Sequence, residues 1–118
     1  MVLGPAHDCD ACRALAVGIL RNGSVANRPT ALIGTTDIAA IGAVHAAIGL
    51  GLVVPDDVSV IGFDDLPEAR YVFPALTTVA QPMRAIGVQL AARIAGDVVQ
   101  PVDLPLRLVV RDTTAAPR

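Results

Sequence analysis

The sequence contains no lysine and no tryptophan, and its aromatic residues are limited to Phe63, Tyr71 and Phe73. All nine basic residues are therefore arginines, and they are scattered from Arg13 to Arg118 without a cluster. A phosphate backbone is bound by a concentrated positive stripe, which this chain, with a net charge of −2, does not have. We therefore expect no direct contact with nucleic acid.

Long apolar runs are also missing. No run approaches the ~20 residues that a membrane-spanning helix needs, because Gly, Pro and Asp interrupt every one. The first residues lack the basic start and long apolar stretch of a secretion signal, so no signal peptide is expected. The 118 residues fit one compact domain, although 53% hydrophobic against 17% charged residues predicts that a partner or further chain covers some surface.

Residues typical of catalytic sites are scarce. His7 and His45 are the two histidines, and neither Ser24 nor Ser59 lies in a nucleophile-elbow pattern. No glycine-rich phosphate loop opens a helix. The sequence therefore predicts neither an enzyme nor a protein that depends on a cofactor.

One Cys-x-x-Cys spacing, formed by Cys9 and Cys12, is typical of redox and zinc motifs. A zinc site would need two more ligands, for which His7 and His45 are the candidates. Neighbouring aspartates would oppose the lowered thiol pKa that redox chemistry uses. The alternative is that both cysteines are small residues in the first turn of a helix, and we expect no metal site.

Apolar residues recur at helical spacing in three segments, and four short runs have the character of buried strands. The sequence predicts helices at Asp8–Asn22, from Ile38 to Gly49 or Gly51, and at Pro82–Gly96, and strands at Thr30–Gly34, Val58–Phe63, Leu76–Val79 and Leu106–Val110. This alternation predicts an α/β fold with a mostly parallel sheet covered by helices on both faces.

Polar clusters occupy the positions where ligands bind in such sheets, at the ends of strands. They are Thr35-Thr36-Asp37 and Asp64-Asp65. An ionised Asp64 accepts several hydrogen bonds, which suits the paired hydroxyls of a sugar or the N–H edge of a base. The alternatives are that Asp64 or Asp65 caps the following turn and that Thr36 and Asp37 are ordinary helix caps.

Four segments resemble the pattern of the lactose- and galactose-repressor (LacI/GalR) family, in the family's order and spacing. They are Arg28–Ala43, Gly51–Asp65, Leu76–Pro82 and the Leu-Val-Val-Arg-Asp-Thr-Thr run that begins at Leu108. The resemblance implies the C-terminal part of a cytoplasmic regulator's sensor, with a periplasmic-binding-protein-like parallel-sheet sandwich that holds a small effector in its cleft. A sugar is the expected effector. The DNA-binding helix-turn-helix and most of the N-terminal subdomain would lie outside this chain.

The resemblance also implies a division of the chain. Residues 1–80 would form the core of the C-terminal subdomain. Residues 81–105 would form a crossover and a helix that packs in the N-terminal subdomain, and residues 106–118 would return as a strand and tail. Asp64 matches the family's effector-binding aspartate, and Gln81 matches a second effector contact. Thr36 stands where sugar-binding members often have Asn, and His7 falls near a position that stacks on the ligand.

Members of the family dimerise through segments that match Ile38–Ile48 and Leu66–Phe73. Ala39, Ala43 and Ala46 would allow close approach of the first segment to its copy. The alternative is that these residues belong to the core of the chain itself. The candidate interface residues are Ile38, Ile41, His45, Ile48, Leu66, Tyr71 and Phe73.

Two other functions remain open at this point. A periplasmic sugar-binding protein of an ABC transporter shares the fold, and a dimerisation module without a working ligand site would keep the interface alone. The Leu-Thr-Thr-Val-x-Gln-Pro run from Leu76 and the Val-Pro-Asp-Asp-Val-Ser turn from Val54 favour the regulator.

Overall fold

The computed structural model describes residues 7–22, 27–98, 100 and 103–116. Residues 1–6, 23–26, 99, 101–102 and 117–118, which the predicted division of the chain includes, lie outside the described residues. None of the helices in the described part is long and apolar enough to cross a membrane. The elements are α1 Cys9–Asn22, β1 Ala31–Ile33, α2 Asp37–Gly49, β2 Ser59–Asp64, a 3-10 turn Pro67–Arg70, β3 Thr77–Ala80, α3 Met83–Ile94 and β4 Arg107–Val109.

The four strands form one sheet in the order β1-β2-β3-β4. Strand β2 pairs in parallel with β1 and with β3, while β4 returns antiparallel beside β3. Parallel neighbours need a crossover, which α2 supplies between β1 and β2. The parallel α/β architecture expected from the sequence is therefore present.

The core lies where α2 packs on the sheet and α1 packs on α2. Its side chains are mostly Ala and Val, together with Leu20 of α1 and Leu76 beside β3. Small residues let the two helices approach closely: a Cβ on Gly42 would stand 2.6 Å from the backbone oxygen of Cys9. Alanine and glycine in α2 thus set how tightly the two helices pack.

One face of the sheet differs from the expectation that helices cover both faces. Leu32 and Val60 face the core, but Ile33, on the opposite side of β1, is 80% exposed. Helix α3 has no buried residue, and its apolar side chains Met83, Leu90 and Ile94 are exposed. Part of the apolar surplus in the composition therefore lies on the surface of the described residues.

The segment after β4 ties the beginnings of β2 and β3 together. The backbone oxygen of Thr113 accepts a 2.8 Å hydrogen bond from Val60 N. The Thr113 hydroxyl accepts from Thr77 N at 2.8 Å and donates to the Val60 carbonyl at 2.7 Å. Because Thr113 is fully buried and all these bonds are made, the returning tail is an integral part of the sheet.

Candidate functional site

Three parallel strands end at the same edge of the sheet, which brings residues distant in sequence together. Asp64 is the last residue of β2, and its register partner in β3 is Ala80. Gln81 follows Ala80 directly, so it emerges beside Asp64. The register of β2 and β3 therefore places the two predicted effector contacts next to each other.

Asp64 and Gln81 are joined side chain to side chain. Gln81 Nε2 donates a hydrogen bond of 2.7 Å to Asp64 Oδ1, and both residues are half-buried. Gln81 also lines an open groove that continues along the first turns of α3, past Met83 and Val88. Asp64 is not among the residues that line that groove. Gln81 therefore lies between the Asp64 carboxylate and the groove, because it is hydrogen-bonded to the first and lines the second.

Asp65, the neighbour of Asp64, forms an ion pair instead of capping a turn. Its Oδ1 lies 2.5 Å from Arg111 Nη2, with side chains 12% and 14% exposed, and its Oδ2 lies 3.9 Å from Arg70 Nη2. Arg111 Nη1 also donates to the carbonyl of Leu76 at 2.7 Å. The turn after Leu66 has no side-chain cap, so the interpretation of Asp64 or Asp65 as a cap is wrong.

The backbone at this pair of aspartates is unusual. Asp64 has φ 125° and Asp65 has φ 58°. Both values lie in the left-handed region, which residues other than glycine rarely adopt. Such conformations cost of order 1–3 kcal/mol each and persist where surrounding contacts hold them. The turn that carries Asp64 is therefore held in place by its neighbours and not by local preference.

The sequence places Asp37 in a polar cluster at a strand end, with an ordinary helix cap as the alternative, and does not predict the partners of its side chain. Asp37 is fully buried, and its carboxylate reaches two other segments. Asp37 Oδ2 accepts from Leu66 N at 2.7 Å, and Asp37 Oδ1 accepts from the hydroxyl of Thr78. A buried charge needs partners, and no pattern in the sequence showed which residues supply them.

Thr36 and His7 lie in different surroundings. Thr36 is buried and is the N-cap of α2, where its hydroxyl accepts from Ala39 N at 3.2 Å, as the capping alternative predicts. His7 is exposed before α1, and within the described residues it shares no hydrogen bond with Asp64 or Gln81. A ligand contact at Thr36 or His7 therefore stays a prediction.

The cysteine pair lies at the beginning of α1, and no disulfide joins Cys9 to Cys12. Burial raises the pKa of the Cys9 thiol, and the charge of Asp10 raises it further. Burial, followed by the charge of Asp8, also raises the pKa of Cys12. Among the residues that the structure describes, no three His, Cys, Asp or Glu side chains are grouped so as to hold a metal ion.

The candidate interface residues divide between surface and partial burial. Tyr71 is 85% exposed and Phe73 is 88% exposed, while His45 and Ile48 are exposed on α2. Ile38, Ile41 and Leu66 are partly buried. The prediction that Ala43 and Ala46 allow close approach to a second copy is wrong. Both alanines are buried in the core of the chain itself.

Comparison with known proteins gives this arrangement a family. Residues 7–114 match the model of the periplasmic binding protein-like domain. The HTH-type transcriptional repressor PurR of Yersinia enterocolitica is 42% identical over 95 residues, which are 75% of this chain and 28% of that repressor. The chain thus spans less than a third of the length of this relative, which is a transcriptional repressor and not an enzyme.

Solved structures of transcription regulators have the same fold. A LacI family regulator from Lactobacillus casei with bound glucose superimposes with a TM-score of 0.76 and 29% identity, over 92% of this chain and 40% of that one. A dimeric lac repressor gives 0.79 and 34%, over 93% and 41%. The fold of this chain therefore agrees with that of both solved structures. The chain therefore belongs to the periplasmic binding protein-like domain family and corresponds to part of the effector-binding domain of a LacI/GalR-type regulator.

Proposed function

We propose that this chain contributes one wall of the effector site of a cytoplasmic transcription regulator, and that the effector is a small molecule rich in hydrogen-bond donors, with a sugar as the first candidate. The observation that carries the proposal is the pairing of Asp64 with Gln81 at the carboxyl edge of the sheet. DNA would be bound by a part of the regulator outside these 118 residues.

The chemistry of the pair supports a ligand of this kind. Gln81 uses its amide nitrogen on Asp64 Oδ1, which orients the two side chains. Within the described residues, no hydrogen bond is made to Asp64 Oδ2 or to Gln81 Oε1. Both atoms are acceptors, and bonds to an ionised carboxylate are the strong kind. Hydroxyl groups of a sugar are suitable donors, and glucose is bound in the Lactobacillus casei regulator.

The N–H edge of a nucleobase is the second candidate, because it offers the same donors to the same acceptors. The groove beside Gln81 is lined by Met83, Ala85 and Val88, so the flat face of the base could pack against these apolar side chains. Thr36 and His7 are proposed as further contacts on the strength of the family resemblance alone.

We also propose that the regulator is a homodimer that uses α2 and residues 66–73. Tyr71 and Phe73 are large aromatic residues that the chain itself leaves uncovered, and aromatic anchors of this kind dominate stable interfaces. Ile48 adds exposed apolar surface on α2. The lac repressor that shares the fold is dimeric. An effector bound between the two subdomains of each protomer would then shift the dimer from one DNA-binding state towards another.

The test is a chimera in which residues 7–114, which match the family model, replace the equivalent part of the Yersinia enterocolitica repressor. Its thermal unfolding is measured against a panel of monosaccharides, beginning with glucose, and of nucleobases. We expect at least one compound to raise the Tm, and we expect Asp64→Ala to remove that response. Asp56→Ala, at an exposed turn position, is the control that should keep it. A response that survives Asp64→Ala, or no response to either class, contradicts the proposal.

A further inference from the structure

Asp37 connects the start of α2 to β3 and to the segment that follows β2. Its side chain has no exposed surface. One carboxylate oxygen accepts from the backbone N–H of Leu66, just after the Asp64-Asp65 turn, and the other accepts from the hydroxyl of Thr78 in β3. These partners lie 29 and 41 residues away in sequence. The position of a buried carboxylate with two donors is strongly constrained, because the loss of either donor would leave a buried oxygen without a hydrogen bond and would destabilise the fold.

The sheet leaves room for this carboxylate at one position. Gly62 in β2 lies against Asp37, and a Cβ at Gly62 would overlap Asp37 Oδ1. Gly62 is two residues before Asp64 and therefore on the same face of β2. The missing side chain at Gly62 thus admits the carboxylate beneath the turn that Asp64 begins.

The turn itself is fixed at two points. Leu66 N is held by Asp37, and the side chain of Asp65 is held by Arg111. Between these anchors, Asp64 and Asp65 both have positive φ. Among the described residues, neither anchor is hydrogen-bonded to Gln81. Their common effect is to keep the backbone of the turn in a conformation that it would leave if released, since two adjacent left-handed residues without glycine are unfavourable.

We propose that Asp37 is a positioning residue of the effector site: through the Leu66 N–H it holds the Asp64-Asp65 turn so that the Asp64 carboxylate meets Gln81. The inference rests on the proposed function for its biological meaning, but the geometry can be measured without any effector. Asp37 does not contact the ligand in this account. It acts through the turn.

The experiment uses amide hydrogen exchange and NMR on the 118-residue chain. In Asp37→Ala, we expect the Leu66 amide to exchange at least tenfold faster relative to the amide of Ala47 in α2, and the Gln81 side-chain amide resonances to move to the position of a solvated amide. Asp37→Asn is the conservative variant. Its single oxygen can accept from Leu66 while its NH2 donates to the Thr78 hydroxyl, so both readouts should return towards the wild type.

Val60→Ala is the matched control. It also truncates a fully buried side chain, but Val60 lies near the beginning of β2, away from the turn. It should lower global stability and leave the ratio of Leu66 to Ala47 exchange unchanged. If Asp37→Ala changes that ratio no more than Val60→Ala does, Asp37 is merely a structural residue and the inference is overturned.

If Asp37→Ala does not fold, the wild-type chain still decides the question. A scalar coupling across the hydrogen bond, from Leu66 N to the Asp37 carboxyl carbon, is expected, and its absence together with rapid Leu66 exchange overturns the inference. None of these readouts involves an effector. A chimera that fails to bind sugars or nucleobases while the Leu66 and Gln81 signals behave as expected would therefore refute the proposed function and leave the positioning role of Asp37 standing.

Discussion

Gln81 Nε2 lies 2.7 Å from Asp64 Oδ1, so the residue that follows β3 orients the carboxylate that ends β2. A hydrogen bond to a charged group contributes about 1.5–3 kcal/mol, which is roughly 10- to 100-fold in affinity if the orientation is needed for binding. We expect Gln81→Ala to weaken effector binding by that factor, and Gln81→Glu to weaken it more through repulsion between two carboxylates. Calorimetric titration of the chimera measures both, with Gln100→Ala as an exposed control. Unchanged affinity in both Gln81 variants would remove this pair from the site.

The proposed dimer predicts that one of two exposed apolar surfaces controls assembly. Replacing Tyr71 and Phe73 by Ser should weaken self-association of the chain at least tenfold, because each buried aromatic anchor is worth about 2 kcal/mol or more. Replacing Val88 and Leu90 on α3 by Ser is the matched control, since those residues are exposed too. Sedimentation at several micromolar concentrations distinguishes the variants. Equal association of both double variants, or a wild-type monomer, argues against the interface.

The Asp65 ion pair with Arg111 is mostly buried, and we expect it to matter for stability. Breaking a buried pair by removing one partner costs about 3–5 kcal/mol, whereas an exposed pair contributes about 0–1 kcal/mol. Arg111→Met should therefore lower the free energy of unfolding by roughly 3 kcal/mol. Arg13→Met, which breaks the exposed contact with Asp10, should change it little. Urea unfolding compares the two, and similar midpoints would contradict this difference.

The cysteines predict a pH dependence at the alkaline side. Burial raises the pKa of the Cys9 and Cys12 thiols in the folded chain, so the folded state holds these protons more tightly than the unfolded state. Stability is therefore fully present below the unfolded thiol pKa of about 8.5 and is lost as pH rises above it. Urea unfolding at neutral and alkaline pH should show a larger loss for the wild type than for a Cys9→Ser/Cys12→Ala variant.

The same raised pKa values predict slow thiol chemistry. At neutral pH, iodoacetamide should react with the folded chain more slowly than with the chain in urea, because the thiolate is the reactive form. A folded chain that reacts as fast as the unfolded one would contradict the raised pKa values, and a folded chain that reacts faster would show the activated thiols that a redox motif requires.

Much of the fold was predictable because the spacing of apolar residues along short segments indicates helices and strands. The alternation of apolar residues gave the three helices and four strands to within a few residues, and α2 begins one residue before the predicted Ile38. The proximity of Asp64 and Gln81 was also predictable, since both follow strands that end at the same edge. The family resemblance of the motifs from Arg28 onward is confirmed by the match over residues 7–114.

Other features depended on which faces meet. Ala43 and Ala46 fit a helix surface that approaches a second copy, yet they pack inside the chain. The pattern of small residues is the same in both cases, so the sequence could not distinguish them. The resemblance implies that α3 packs in the N-terminal subdomain outside this chain, and every residue of that helix is at least partly exposed here. Its division from the rest of the chain at residues 81–105 stays a prediction.

The sequence by itself determined the order of helices and strands and the edge at which polar residues collect, because those follow from the spacing of apolar side chains along a short stretch. The tertiary structure alone decided that Asp37 is joined to Leu66 and Thr78 and that Asp65 is paired with Arg111. Such partners lie 29 to 46 residues apart. A buried charge takes its partners from whichever backbone and side-chain donors the packed sheet brings within reach, and no local pattern records that choice.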